Sequence, residues 1–430
     1  SHNPKEYNGY KVYGEDGAQM APESTDEVLG YINRIKDYFS VKSVEIPSLK
    51  AKNPAALVVI GKSFENSYYS EIKKLSLSKK AVKAVRKDIK IVYTPVHGSG
   101  YVPVTTILKK LKINVSVVEE QIMPDPDFST VELPNPEFKE TLSMGIALAE
   151  KVGADVVFGT DPDCDRLGVA VKTSAGDFIA LTGNQTGILL LDYILLRLKA
   201  EGKTPKNGVV VKSFVSTGLA KPICDNYGVE LVETPVGFKF IGEKIKEYEK
   251  DRSKTFIFGF EESCGYLRGT HARDKDAVVA SMLFAEMTCY YKSVGKTVYE
   301  RLEEIYAKYG YVLDAADSFK YSGISAMAEM NAAVNAMRGK KIDSIGIYTV
   351  SAVRDYLSGK RTTEEGEEEL PIKGINCLYY ELLNGGFICL RPSGTEPKLK
   401  VYYSVKAKDK PRAEIAFAEM KESFNALLKG

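Results

Sequence analysis

From about residue 88 to residue 262, short apolar runs alternate with segments of helical period. "IKIVYTPVHGSG" is followed by "VTTILKKLK", "NVSVVE", "ETLSMGIALAEKVG" and "ADVVFGT". The pattern then restarts with "NQTGILLLDYILLRLKAEG", "NGVVVKSFV", "TGLAKPICDNYG", "VELVETPVG", "FKFIGEKIKEYEKD" and "TFIFGFEE". Strand–helix–strand alternation of this kind predicts parallel α/β sheets. At 430 residues the chain is too long for one ordinary core. The two runs are therefore expected to be tandem mixed α/β units. Ligands of such sheets sit at the carboxyl ends of the strands, so the loops there are the places to look for chemistry.

The flanks differ. Residues 1–50 read as a short strand or hairpin at Gly9–Val12, with turns at "YNG" and "GEDG", and a helix over "STDEVLGYINRIKDYF" with Ser24 or Thr25 as N-cap. This is thin for an independent core and reads as the tail of a larger domain. Beyond about residue 305 come a long helix ("SAMAEMNAAVNAMRG"), strand-like stretches, an acidic tract "TTEEGEEE", two strands ("GFICLRPSG", "KLKVYYSVKA") and a closing helix, "RAEIAFAEMKESFNALLK". The acidic tract is expected to be a solvated loop. The expected divisions are 1–65, 66–178, 179–305 and 306–430, the last a C-terminal α+β domain.

Lys and Arg number 59 against 57 Asp and Glu. This near-neutral balance argues against a dedicated nucleic-acid binder, but leaves room for a local basic pocket. The six cysteines are scattered, without a C-x-x-C pair, which excludes the usual zinc spacings and a dense disulfide framework. Reduced thiols and a cytoplasmic location are expected. No apolar run is long enough to span a bilayer, and no signal-peptide pattern is present.

Four loops carry candidate chemistry. "SHNP" places Ser1 beside His2, with Lys11 one strand-length away; a serine needs such neighbours to act as a nucleophile. An N-terminal-nucleophile hydrolase would also begin on serine, but that reading explains none of the other loops. "GTDPDCDRLGVAV" places Asp161, Asp163 and Asp165 at alternate positions, so an extended segment would turn all three carboxylates to one side. Oxygen ligands suit Mg²⁺ or Ca²⁺ rather than zinc. An EF-hand is excluded, because its sixth and twelfth positions fall on Arg166 and Lys172. A haloacid-dehalogenase-type phosphatase, which also carries D-x-D after a strand, is the lesser rival. Arg166 adds a fixed positive charge suited to a phosphate.

"GFEESCGYLRGTHARDKDA" offers Glu261, Glu262 and Ser263 as partners for sugar hydroxyls, although a glutamate pair capping the next helix would look the same. Downstream, Lys275 is an acid/base candidate if desolvated. "RPSGTEPKLKVYY" crowds Arg391, Ser393, Gly394, Thr395 and Lys398 into a phosphate cradle. "PVHGSG" and "TPVGFK", the latter holding Gly237 and Lys239, are weaker glycine loops, read mainly as shaping. Serine, metal, hydroxyl partners and phosphate cradle together point to phosphoryl transfer on a phosphorylated polyol.

"SHNP", "DPDCDR", "EES" and "RPSGTEP", in this order, resemble the α-D-phosphohexomutase superfamily and specifically its phosphoglucomutases, over the whole chain. "TPVGFKFIG" and "GTHARDKDA" favour the glucose-type branch. The resemblance implies domains arranged around a central cleft, each giving one loop. It implies that Ser1 is the phosphoserine, and that Asp161, Asp163 and Asp165 with the Ser1 phosphate are Mg²⁺ ligands. Arg166 would lie beside that phosphate, with His2, Lys11 and Lys275 as acid/base candidates. Glu261 and Ser263, with Gly237 and Lys239, would bind substrate, and Arg391, Ser393, Gly394 and Thr395 would hold the non-reacting phosphate. Glucose 1-phosphate and glucose 6-phosphate would interconvert through glucose 1,6-bisphosphate. The partner is a small sugar phosphate, with no nucleic acid or membrane, in a monomer or dimer. Cys264 stands where an aromatic residue is expected. The serine follows most of a whole domain in the family, so residues 1–65 are expected to be the remnant of a truncated first domain. Mannose- or pentose-phosphate mutases, or a catalytically silent sugar-phosphate binder, are the alternatives.

Overall fold

The structure, a computed structural model, describes residues 1–430 apart from 8, 9, 21, 44, 48–57, 324, 394–396 and 430. Near the N-terminus a bridge joins Tyr13 to Gln19, and α1 (Pro22–Ile32) follows. Gly9, the first residue of the expected hairpin, lies outside the described residues. Helix α1 begins ahead of Ser24 and ends well short of Phe39. The Asp37 side chain instead accepts from Phe39 N and starts a separate 3₁₀ turn at Tyr38–Ser40. Leu29, Tyr31, Ile32 and Ile35 are exposed, and an apolar stripe with nothing to pack against does little to extend a helix.

Helices α2 (Lys62–Lys74) and α3 (Lys79–Val85) lead into the first α/β unit: β1 (Ile91–Thr94), α4 (Tyr101–Lys110), β2 (Val115–Val117), α5 (Ser143–Val152), β3 (Val156–Thr160), β4 (Leu167–Lys172) and β5 (Phe178–Ala180). The second unit runs α6 (Gly183–Ala200), β6 (Gly208–Ser213), α7 (Ala220–Tyr227), β7 (Glu230–Thr234), α8 (Phe238–Asp251), β8 (Thr255–Glu261), β9 (Gly265–Leu267), α9 (Ala277–Ser293) and α10 (Val298–Tyr309).

The sheets are ordered β2-β1-β3-β4-β5 and β7-β6-β8-β9. Their central strands are parallel, as the alternation requires. Strands β4, β5 and β9 run antiparallel, so each sheet is mixed, as expected of tandem mixed α/β units. The reason lies in the connections: Asp161–Arg166 and Glu262–Cys264 are too short for a crossover and can only reverse the chain. These two reversals are the metal-type and sugar-type loops. Helices α6 and α9 are buried nearly all round, and one continuous core runs from Tyr69 to Val312 through both units.

The C-terminal part comprises β10 (Tyr311–Lys320), α11 (Ala326–Gly339), β11 (Ser344–Ile345), β12 (Tyr348–Asp355), β13 (Lys360–Thr363), β14 (Gly366–Glu369), β15 (Leu378–Leu382), β16 (Phe387–Pro392), β17 (Lys398–Ala407) and α12 (Lys410–Lys429). Its antiparallel sheet is ordered β10-β17-β16-β15-β12-β13-β14, with β11 on β12, around a separate core containing Met330, Val334, Met420 and Phe424. The acidic tract is a hairpin rather than a loop. Lys360 pairs with Glu367 at 2.6 Å and Arg361 with Glu368 at 2.9 Å, so basic residues on β13 neutralise the acidic β14 across the ladder. Phe214 stacks on Tyr356 with ring centroids 4.4 Å apart, joining this part to the second unit. Among the described residues no helix is long and apolar enough to cross a membrane.

Candidate functional site

Strand β3 delivers the chain into Asp161–Arg166. This segment is a turn, not the extended run expected from the alternating Asp residues. Cys164 sits at φ 59°, and Asp161 Oδ1 accepts from Asp165 N at 3.0 Å and Arg166 N at 2.9 Å. Winding the loop around Asp161 brings one oxygen from each of Asp161, Asp163 and Asp165 within 4.8 Å of the others. Asp161 is fully buried, and its Oδ2 and Asp165 Oδ1 have no hydrogen-bond partner. Burial, then Asp165 and Asp163, push the Asp161 carboxyl well above its ordinary range. Burial acts the same way on Asp163, but its Asp161 neighbour and the charge of Lys11 outweigh it and hold Asp163 low. An all-oxygen triad with two buried, unpartnered oxygens and the exposed Asp163 beside them fits a hard divalent cation.

The loop rests on "PVHGSG". Val96 and His97 take positive φ there (47° and 61°), and Ser99 donates to Pro162 O from N at 2.8 Å and Oγ at 3.0 Å. A Cβ on Gly98 would stand 2.3 Å from Pro162 Cα, so only glycine lets the two backbones meet.

Basic groups converge on the triad. Lys11 Nζ lies 3.1 Å from Asp163 Oδ2 and 2.6 Å from Asp165 Oδ2, and Lys275 Nζ pairs with Asp165. Burial works against the Lys11 ammonium, but Asp165 and Asp163 prevail and raise its pKa. The Ser1 nitrogen is 3.3 Å from Asp163 Oδ1. Arg166 Nη2 lies 3.2 Å from His2 Nε2. A guanidinium can only donate, so Nε2 accepts and the imidazole is neutral. Burial, then Arg166 and Lys275, push the His2 pKa down to about 4. Glu137 holds Arg166 from the other side at 3.5 Å. A cleft of about 640 Å³ opens here, lined by Ser1, Lys11, Tyr13, Asp163, Asp165 and Lys275 among others.

The second reversal adjoins the first. Arg166 bridges Gly265, and Leu167 N donates to Cys264 O at 3.0 Å. Glu261, buried at the end of β8, accepts from Gly237 N at 2.6 Å. Gly237 sits at φ 124°, which a side chain would oppose. Burial and the neighbouring Glu262 push Glu261 up to about 7. Glu262 turns elsewhere, accepting from Ser213 Oγ at 3.0 Å and Ser216 Oγ at 3.2 Å. Ser263 is half-buried in the turn, and Cys264 is buried at φ 63°. Lys239 lies over the Phe240 ring, 5.1 Å from its centroid.

In the fourth loop, Arg391, next to last in β16, lies opposite Lys400 of β17, and Ser393 N donates to Lys398 O at 2.8 Å. Gly394 and Thr395 lie outside the described residues. The structure thus brings Ser1, His2, Lys11, Arg166, Lys275 and the three aspartates together, and joins Glu261 to Gly237. Sequence reasoning did not single out Glu137, Tyr13 or Lys400. Burial lowers the Lys400 pKa, against the charges of Glu262 and Glu137. The K-x-K alternation in "KLKVYY" was the available signal.

Three descriptions of the same family match the chain in order: "Phosphoglucomutase/phosphomannomutase, alpha/beta/alpha domain I" over residues 1–39, domain II over 66–176 and domain III over 182–309. The chain belongs to the phosphoglucomutase/phosphomannomutase family, within the α-D-phosphohexomutase superfamily. It is similar to the phosphoglucomutase of Staphylococcus haemolyticus (strain JCSC1435), at 36% identity over 94% of this chain and 72% of that protein. The phosphoglucomutase of Staphylococcus aureus (strain MRSA252) is 33% identical over 100% of this chain and 74% of its own. Among solved structures, the open form of parafusin, a phosphoglucomutase from Paramecium, shares the fold. Its TM-score is 0.58 at 15% identity, covering 84% of this chain and 62% of that one.

Proposed function

We propose that this chain is a phosphoglucomutase, interconverting glucose 1-phosphate and glucose 6-phosphate through a phosphorylated Ser1 and glucose 1,6-bisphosphate. The observation that carries the reading is the meeting of Ser1, the Asp161–Asp163–Asp165 triad and Lys275 in one cleft, hydrogen-bonded through backbone to the Glu261 loop. Asp161, Asp163 and Asp165 would hold Mg²⁺ together with the Ser1 phosphate. When bound, the ion supplies charge neutralisation for the transferring phosphoryl group.

Arg166, fixed between His2 and Glu137, adds a permanent donor beside Ser1. Lys11 and Lys275 keep further positive charge on the phosphoryl path. Proton handling at the reacting sugar hydroxyl falls to His2, Lys11 and Lys275, which surround the serine. Glu261 and Ser263 accept from and donate to sugar hydroxyls, with Gly237 and Lys239 beside them. Arg391, Ser393, Gly394 and Thr395, assisted by Lys400, hold the phosphate that does not react. The sugar turns over between the two half-reactions, so the two phosphate sites must be distinct, as their origin on different sheets allows. Free cysteines suit a reducing cytoplasm.

The test is Mg²⁺-dependent conversion of glucose 1-phosphate to glucose 6-phosphate, primed with glucose 1,6-bisphosphate. Turnover that Ser1→Ala abolishes supports the reading. Turnover that Ser1→Ala leaves intact refutes the role of the serine, and no turnover on any hexose phosphate refutes the activity.

A further inference from the structure

The stretch Arg273–Asp276 makes a different attachment at each residue. Arg273 Nη2 pairs with Glu249 at 2.5 Å. Asp274 Oδ2 accepts from Tyr13 Oη at 2.9 Å, and its Oδ1 accepts from Lys275 N at 2.9 Å. Lys275 pairs with Asp165. Its stem is packed closely enough that a Cβ on Gly265 would stand 2.7 Å from Lys275 Cδ.

Asp276 is buried and fully engaged. Oδ1 accepts from Val278 N at 2.8 Å and Val279 N at 3.1 Å, capping α9. That cap needs one oxygen. The other, Oδ2, accepts from Tyr68 Oη at 2.9 Å and meets His271 Nε2 at 2.8 Å. Tyr68 comes from α2, far from Asp276 in sequence, and the His271 side chain is only 8% exposed. Backbone bonds lock the same point: Asp276 N donates to Tyr266 O at 2.9 Å and Ala277 N to Cys164 O at 3.2 Å. A helix cap does not require two further aromatic donors, a half-buried tyrosine and a histidine, on its second oxygen. What they fix is the plane of the Asp276 carboxylate, and with it the backbone from which Lys275 projects into the cleft.

We propose that Tyr68 and His271 are positioning residues that act through Asp276 to hold Lys275 against Asp165. Without them the Asp276 carboxylate rotates about its cap, the 275–276 peptide shifts, and the Lys275 ammonium leaves its place in the cleft. The kinetic consequence rests on the mutase reading; the placement of Lys275 does not.

The experiment therefore has two readouts. The first is the rate of amine acylation at Lys275, followed by peptide mass spectrometry, with the 89%-exposed Lys341 as internal reference. Tyr68→Phe removes one hydroxyl and keeps the ring, so it should fold with a Tm near the parent's. It is expected to raise labelling of Lys275 about threefold or more while Lys341 is unchanged. His271→Ala should do the same, and His271→Gln, which keeps an N–H donor, should restore part of the protection. The second readout is turnover. Tyr68→Phe should lower kcat about tenfold with KM for glucose 1-phosphate within about twofold, and should cost nothing further in a Lys275→Met background. Unchanged Lys275 labelling overturns the proposal, as does an equal fold-loss of kcat in the Lys275→Met background. A parent without mutase activity refutes the proposed function, and the labelling readout then decides the positioning role by itself.

Discussion

Gly98→Ala tests whether the metal-type loop is held by its neighbour or holds itself. The added methyl would begin 2.3 Å from Pro162 Cα, 2.6 Å from its O and 2.8 Å from its C, all backbone atoms, where ordinary contact starts near 3.4 Å. Rotamer changes cannot relieve such a clash, so Pro162 must retreat by about 1 Å or the turn around Gly98 must open. Pro162 lies between Asp161 and Asp163, and the shift passes to both carboxylates. A misplacement of about 1 Å costs on the order of 10²-fold in turnover, about 2.7 kcal/mol of transition-state stabilisation. A disturbed support around metal ligands costs about 10–100-fold in affinity. Calorimetric titration with Mg²⁺ and the primed mutase assay measure the two effects, with Tm as a check on folding. Gly339→Ala, whose Cβ meets nothing within 4 Å, is the control and should leave both unchanged. If Gly98→Ala binds Mg²⁺ as tightly as the parent and turns over within about twofold of it, the loop does not depend on this support, and the reasoning fails.

The other predictions concern single groups. Asp161→Asn keeps the Oδ1 acceptor of the loop backbone but loses the charge, so Mg²⁺ affinity by calorimetry should fall about 10²-fold or more with little change in Tm. Glu261 has a folded pKa of about 7 against an ordinary 4.5. The folded protein therefore holds a proton there that the unfolded chain releases, and stability present below about pH 4.5 is lost as pH rises towards 7. Urea midpoints across that range should decline in the parent, and Glu261→Gln should flatten the decline. Arg301 donates to Asp192 Oδ2 from Nε at 3.0 Å and Nη2 at 2.8 Å, and the Asp192 side chain is 1% exposed. Arg301→Ala leaves that charge buried without its ion-pair partner and should cost about 3 kcal/mol in denaturant unfolding, with Arg301→Lys recovering part of it.

Much of the α/β architecture was legible because buried strands and crossover helices differ in period, as in β1 to β3 and β6 to β8. What escaped has physical causes. Helix α9 carries apolar residues on every side because it is enclosed, so it has no amphipathic period to read. The acidic "TTEEGEEE" reads as loop until Lys360 and Arg361 are placed across from it, and that pairing depends on strand register. The aspartate triad was recognised for its ligand chemistry through an inexact geometry. Alternation suggested an extended segment, whereas convergence comes from a left-handed Cys164 and backbone donors closing on Asp161. Tyr68 and Glu137 carry no local mark at all, since their relevance depends on partners more than 25 positions away.

The core that runs unbroken from Tyr69 to Val312, and the backbone bridge between Arg166 and Gly265, bear on how this protein can be recombined. Family boundaries near residue 180 suggest interchangeable modules, yet a hybrid joined there would have to match an alien half-core and re-form the loop-to-loop bridge. The region near residue 310 is a better crossover point. Beyond it the C-terminal sheet brings its own core and meets its neighbour through a seam that includes the stacked Phe214 and Tyr356. A library of chimaeras should yield soluble, cooperatively folding members when the first and second α/β units are inherited together, and the phosphate-cradle part can then be drawn from different parents.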